Sequence, residues 1–273
     1  MKRQKILPCY KLSSCLSIKN YIAERIALLK MTETVGVLFC GGEGTRMRPL
    51  TYYMQKVMMP IGIDQLPVLE YVIKHFKKHG INDLVLLVNY KKEQIQGYFG
   101  NGERWGMKLT YVPDKIGPVG TGTALLNAKE HLIGKRMIIY YSDIITNIDF
   151  SDMLKYHLNH QKWATILATK GWKIRVGTAE MDGNNLVTKF IEKPTLPLLV
   201  NTGISILEPI VFDYLKKFDP SKSIDLSRDI FPEFVEKEEM MAYTPEECYW
   251  EDIGSIEIYE KIDNEKITEL MKK

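Results

Sequence analysis

The chain has no run of eighteen or more apolar residues, so no membrane-spanning helix is expected. It has no internal repeat, no low-complexity tract and no hexapeptide repeat, so neither a solenoid nor a β-helix is expected. Its four cysteines (Cys9, Cys15, Cys40 and Cys248) are scattered without metal-ligand spacing and read as reduced thiols of a cytoplasmic protein. The five histidines make no zinc set. His75 and His79 are four apart on an expected helix and read as a surface pair, because a third ligand is missing. No Ser/His/Asp or Cys/His constellation is present. Two common phosphate fingerprints also fail. The pattern G-x-x-x-x-G-K-[ST] is absent, and Gly42-Glu43-Gly44 is followed by Thr45-Arg46-Met47, where G-x-G-x-x-G needs its last glycine.

Acidic residues are scarce only at the start. Residues 1–30 hold seven basic residues against Glu24 alone, so the rest of the chain is net acidic and shows no basic nucleic-acid footprint. The apolar stretch of this leader is broken by Lys11, Ser13, Ser14 and Lys19, which makes a poor secretory signal. With Met31 just before the first strand, residues 1–30 read as a mis-assigned start or a loosely docked extension. Hydrophobic residues at 45% and charged residues at 26% are ordinary for a globular protein that buries a sizeable core.

What is present begins with an apolar run, Val35 to Phe39, which reads as a strand buried on both faces. It empties into Gly41-Gly42-Glu43-Gly44-Thr45-Arg46, and Lys56 follows. Glycines let the backbone curl and turn several N–H groups toward one point, while arginine and lysine add fixed positive charge. That combination holds a polyphosphate.

Downstream, Val68, Leu69, Val72, Ile73 and Phe76 repeat at helical spacing, with Gly80 as a stop. Leu84–Val88, Lys108–Val112 and Met137–Tyr141 read as strands, and Glu93–Phe99 and Thr123–Leu132 as helices. This alternation predicts an α/β fold: a Rossmann-like, mostly parallel sheet with helices on both faces. Ligands of such sheets sit beyond the carboxyl ends of the strands, where both the glycine loop and Asp143 fall. Thr165–Thr169, Leu186–Ile191 and Gly203–Leu207 read as strands of a smaller mixed sheet forming a lid. From Ser255 onward a charged helix with a solvated face is expected. The domains so drawn are the leader 1–30, a catalytic unit 31–255 and a terminal helix 256–273.

The glycine segment, Gly41-Gly42-Glu43-Gly44-Thr45-Arg46-Met47-Arg48-Pro49-Leu50-Thr51, resembles the signature of the sugar-1-phosphate nucleotidylyltransferases. Further elements similar to that family follow in order: Gln55-Lys56-Val57-Met58-Met59-Pro60, Gly117 to Gly122, Ser142-Asp143, Phe190 to Pro194, Asn201-Thr202-Gly203 and Trp250 to Gly254. The resemblance implies transfer of a nucleotidyl group from an NTP to a sugar-1-phosphate, giving an NDP-sugar and pyrophosphate. It implies that Arg46, Lys56 and Lys193 are catalytic, and that Asp143 and Asp252 hold Mg²⁺. Gly41, Gly42, Gly44, Thr45, Gly120 and Thr121 would bind the nucleotide, and Gly177, Glu192, Lys193 and Asn201 the sugar phosphate.

Ser223-Ile224-Asp225, with the phrase around Gly120, looks most similar to the mannose-1-phosphate guanylyltransferase branch. Thymidylyl, uridylyl or cytidylyl transfer to a glucose or heptose phosphate stays open, as does a non-catalytic homologue that senses NDP-sugars. No nucleic acid or membrane partner is expected, and a homo-oligomer is compatible with the pattern. Two departures from the family stand out. Gln55 and Val57 replace two prolines around Lys56, which implies a less rigid loop, and Ser142 stands where many relatives have glycine, which implies altered sugar or base contacts.

Overall fold

Both faces of the first strand are apolar, and this decides its place. In β1 (Thr34–Cys40), Val35 and Val37 point into one core, and Leu38 and Cys40 into another. Only an interior strand can bury both. The computed structural model describes residues 32–272 apart from 116–118, 172, 173, 175, 196 and 220. The leader 1–30 lies outside the described residues, as do Gly117 and Pro118 of the glycine phrase.

The other main-sheet strands are β2 (Asp83–Val88), β3 (Lys108–Pro113), β4 (Arg136–Tyr141), β5 (Ala164–Thr169), β6 (Val200–Leu207) and β7 (Met240–Tyr243). They lie in the order β7-β5-β6-β4-β1-β2-β3. β1 runs parallel to both β4 and β2, β3 is parallel to β2, and β7 is parallel to β5. β6 alone is antiparallel to its neighbours, β4 and β5. The expected α/β sheet is therefore present, with one change of membership. Of three strands expected in a smaller lid sheet, two belong to the main sheet. Only Val187–Ile191 stands apart, in an exposed hairpin with Thr178–Met181.

Helices cover both faces. α1 (Val68–Lys78) and α4 (Phe150–His160) pack Leu69, Val72, Phe76, Phe150 and Met153 on one side. α3 (Thr121–Asn127) and the segment from Val211 to Phe234 cover the other with Leu125, Leu215, Ile230 and Phe234. Each such side chain, fully buried, contributes roughly 1.5–3 kcal/mol. α2 (Lys92–Phe99) forms as its sequence predicts. The helix expected over Thr123–Leu132 is divided at Ala128, with Lys129–Leu132 as a second short piece. No helix among the described residues is long and apolar enough to cross a membrane.

The end of the chain is not one solvated helix. It comprises Ile256–Glu260 and α5 (Asn264–Lys272), and Ile267 is buried against Met47, Met59 and Ile61. Asn264 Oδ1 and Thr268 Oγ1 accept from the N–H groups of Gly62 (2.8 Å) and Ile63 (2.9 Å).

His75 also departs from expectation. It is buried, with its ring edge-on to Phe150 (4.7 Å) and to His79 (4.9 Å), because the apolar stripe of α1 carries it inward. Among the described residues no three His, Cys, Asp or Glu side chains are grouped to hold a metal. Burial, with the neighbouring His79, pushes the His75 pKa down from 6.5 to about 4. Between those values the unfolded chain binds a proton that the folded chain refuses, so stability is present above about pH 6.5 and falls as pH drops toward 4. We expect urea denaturation across this range to show up to about 3 kcal/mol of loss that is missing in His75→Phe. An equal pH slope in that variant would refute the assignment.

Candidate active site

The glycine loop is bent over the lysine that follows it. Gly44 adopts a left-handed conformation (φ 62°), and its carbonyl accepts from Met47 N (2.8 Å) and Thr51 Oγ1 (3.0 Å). A Cβ at Gly44 would lie 2.9 Å from Thr51 Cγ2 and 3.2 Å from Lys56 Cβ. The loop therefore closes onto Lys56 only with glycine there. Tyr90 OH donates to Thr51 O (2.8 Å), which fastens this turn to the end of β2. Thr45 and Arg46 are exposed at the crest.

Lys56 Nζ donates to Asp143 Oδ2 in a half-buried ion pair. Asp143 leaves the carboxyl end of β4, next to the end of β1. Asp252 arrives by another route. The short strand Trp250–Asp252 pairs antiparallel with Ile144–Thr146, and Ile253 N donates to Asp143 O (2.8 Å). The two aspartates become neighbours. Burial raises the Asp252 pKa and the charge of Asp143 raises it further, while Lys56 and Arg46 oppose the shift. Asp252 Oδ1 is buried without a hydrogen-bond partner. Arg46 is close by, since a Cβ placed on Gly254 would meet both Arg46 Nη2 (2.9 Å) and Asp252 Oδ1 (2.8 Å).

Two cavities open on either side of this cluster. One, of about 300 Å³, is lined by Gly41, Gly42, Lys56, Gly120, Thr121 and Asp143 among others. Its far wall is tied to a distant segment: Thr121 Oγ1 donates to Asp225 Oδ2 (2.9 Å), and Gly122 N donates to Ile224 O (2.9 Å). The other, of about 340 Å³, is lined by Arg46, Asp143, Asn201, Trp250 and Asp252. Tyr141 borders both.

The remaining expected sugar-side residues line neither of these two cavities. Gly177 lies against Glu192, whose Oε2 is 2.9 Å from where a Cβ would sit. Lys193, left-handed at φ 46°, holds its Nζ 3.8 Å from Glu192 Oε1, and both side chains are exposed. Lys193 instead faces a separate cavity of about 680 Å³ shared with Tyr249, Glu251 and the two C-terminal helices. Ser142 does not reach the site at all. It is fully buried, and its Oγ accepts from Cys40 Sγ (3.2 Å), so no changed sugar or base contact comes from it.

A family model described as nucleotidyl transferase matches residues 35–269. The chain belongs to the nucleotidyl transferase family. The resemblance read from the glycine signature is borne out at that level. Among curated relatives, a mannose-1-phosphate guanyltransferase of Pichia angusta is 31% identical over 227 residues, covering 80% of this chain and 60% of that protein. A UTP–glucose-1-phosphate uridylyltransferase of Synechocystis is 28% identical over 240 residues, covering 82% and 61%. The chain thus spans about 60% of the length of these curated relatives. Two solved structures share the fold. A putative glucose-1-phosphate thymidylyltransferase from Bacillus anthracis has a TM-score of 0.67 and 20% identity, over 84% of this chain and 93% of that one. HddC from Yersinia pseudotuberculosis, complexed with GMP-PN, has a TM-score of 0.63 and 23% identity, over 84% and 97%.

Asp114 carried no signal in the sequence, and the motifs that contain Asp225 and Trp250 gave neither residue a role. Asp114 follows β3 and lines the first cavity, with its Oδ2 3.4 Å from where a Cβ on Gly41 would sit. Burial raises its pKa, against a hydrogen bond from Asn89. Asp225 caps the turn at Leu226–Ile230 through Ser227 N and Arg228 N and still reaches Thr121. Trp250 Nε1 donates to Thr202 O (2.9 Å), holding the Asp252 strand to β6. Their placement is legible only in three dimensions. At Gly44 the geometry makes a direct forecast. Gly44→Ala is expected to cost about 1–2 kcal/mol of stability for the left-handed backbone and to push Lys56 away from Asp143. A thermal melt and activity identical to the parent would show that the loop absorbs the methyl group.

Proposed function

We propose that the chain catalyses Mg²⁺-dependent transfer of a nucleotidyl group from an NTP to a sugar-1-phosphate, with GTP and mannose-1-phosphate as the preferred pair. The observation that carries this reading is the convergence of Lys56, Arg46, Asp143 and Asp252 between two adjoining cavities. The first cavity suits the nucleotide and the second the sugar phosphate. A phosphate oxygen of the sugar phosphate attacks the α-phosphorus in line; the new P–O bond forms as the bond to the β-phosphate oxygen breaks, and pyrophosphate leaves. The nucleophile is already an anion at neutral pH, so no general base is required. Catalysis is positioning and charge neutralisation, as in phosphoryl transfer generally.

In this scheme the N–H groups of Gly41, Gly42, Gly44 and Thr45 cradle the phosphates. Arg46 and Lys56 stabilise the departing pyrophosphate, and the planar fork of arginine makes Arg46→Lys a severe change. Gly120 and Thr121 border the base. Asn201 serves the sugar phosphate from the second cavity, whereas Gly177, Glu192 and Lys193 line neither cavity and Lys193 faces the separate one. The donor set fits a hard divalent cation: two adjacent carboxylates, one with a buried unpartnered oxygen, and room for phosphate oxygens to complete the shell. Bound between Asp143 and Asp252, Mg²⁺ would supply positive charge beside the α-phosphate. A cytoplasmic setting accords with the free thiols of Cys40 and Cys248.

Guanine is favoured by Asp114. A carboxylate in the base cavity accepts from adjacent N–H donors, and guanine offers N1–H and N2–H side by side. Uracil and thymine present one N–H between two carbonyls, which a carboxylate would repel. The test is pyrophosphate release with Mg²⁺ over a grid of GTP, UTP, dTTP, CTP and ATP against mannose-, glucose-, N-acetylglucosamine- and heptose-1-phosphates. GTP with mannose-1-phosphate should be the most productive pair; silence across the grid from folded protein that binds an NDP-sugar would favour a sensing role instead. Asp143→Asn or Asp252→Asn should abolish turnover with the fold intact by circular dichroism, and normal turnover in either removes the metal assignment. Asp114→Asn should lower the GTP-over-UTP preference in kcat/KM by about tenfold, the scale of one lost charged hydrogen bond; an unchanged ratio would separate Asp114 from base choice.

A further inference from the structure

Gln55 stands where the family signature carries the first of two prolines around the lysine, and a looser loop is the expectation from sequence. The structure has the opposite. Gln55 is 1% exposed, and its amide bridges two segments. Nε2 donates to Cys40 O (2.6 Å) and Gly42 O (3.3 Å), at the root and middle of the glycine loop. Oε1 accepts from Val57 N (2.6 Å), just after Lys56. The backbone N–H of Gln55 donates to Gln94 Oε1 (2.7 Å), and Gln94 Nε2 donates to Tyr53 O (2.8 Å), so α2 braces the same segment. The φ of Gln55, −64°, is the value that proline would impose. The backbone shape a proline would enforce is therefore kept, and hydrogen bonds that proline cannot make are added.

We propose that Gln55 is a positioning residue: its buried amide sets the glycine loop against Lys56 and so fixes where the NTP triphosphate stands relative to Asp143. This rests on the nucleotidyl-transfer reading of the site. Removing the amide takes a donor from the Cys40 carbonyl and an acceptor from the Val57 N–H in a buried setting, which loosens the loop without touching the sugar side.

Gln55→Ala and Gln55→Glu, made in the full chain, test this. For Gln55→Ala the KM for GTP and the calorimetric GTP dissociation constant should each rise about tenfold, with the KM for sugar phosphate within about twofold of the parent. Gln55→Glu adds a readout that simple space filling would not move. When ionised, the new carboxylate repels the carbonyl oxygens of Cys40 and Gly42. When protonated, it donates to Cys40 O and still accepts from Val57 N. The activity of Gln55→Glu relative to the parent should therefore rise about tenfold as pH falls from about 8 to about 5.5, the span in which a buried carboxyl titrates. A flat ratio together with unchanged GTP affinity overturns the proposal. Parent protein that releases no pyrophosphate with any substrate pair overturns the transfer reading alone. The GTP affinity of Gln55→Ala then decides the role of Gln55: about tenfold weaker binding supports it and equal binding overturns it. Parent protein that neither turns over nor binds any of the five NTPs overturns both.

Discussion

The arrangement depends on one electrostatic conflict. The short antiparallel ladder between Ile144–Thr146 and Trp250–Asp252 forces two carboxylates together in a half-buried setting. Like charges at such a distance cannot both ionise comfortably unless cations stand beside them. Lys56 and Arg46 meet that need, and both come from the segment after β1. This is possible because β1 and β4 are parallel neighbours, so the loops that follow them leave at the same end of the sheet. Asp252 cannot arrive that way. It is delivered by the end of the chain, which is held by Ile253 and Ile267 against Met47, Met59 and Ile61, beneath the arginine and lysine. The C-terminal helices thus belong to the site, although they bear none of its charged groups.

Tyr141 then divides the space. Its ring packs on Phe39 at 5.3 Å and borders both cavities, immediately before the turn Ser142-Asp143 that follows β4. Each cavity meets the charged cluster from its own side, with Asp143 common to the two. Lys56 lines the first cavity and Arg46 the second, so each cavity has a cation of its own beside the shared carboxylate.

Much of this was legible in the sequence wherever the signal was local. The run from Val35 to Phe39, the glycines after it and the stripe from Val68 to Phe76 each state their own structure within a dozen residues. Readings failed where the deciding partner is remote. Ala164–Thr169 and Val200–Leu207 are recognisable as strands, but apolarity does not reveal that β6 inserts antiparallel between β4 and β5. His75 is polar by type, yet it shares a helix face with Val68 and Phe76 and is carried into the core. Ile267 sits among charges in a sequence that reads as solvated, and only contacts with residues far upstream bury it. At the site, matched motifs picked out the charged residues. Asp114 and Asp225 belong to no matched metal or phosphate motif, and their roles emerge from the cavity that they wall.

The two kinds of charge are held in different ways. The carboxylates are fixed by backbone pairing: Asp143 at a strand end, and Asp252 within a ladder that Trp250 also ties to Thr202. The cations stand on turns whose shape is set by side chains, namely Thr51 on Gly44, Tyr90 on Thr51 and Gln55 on Cys40. Arg46 is exposed on such a turn, while the carboxylate pair is held in the backbone ladder. The carboxylates are therefore placed by the fold itself and the cations by side chains that tie the loops down.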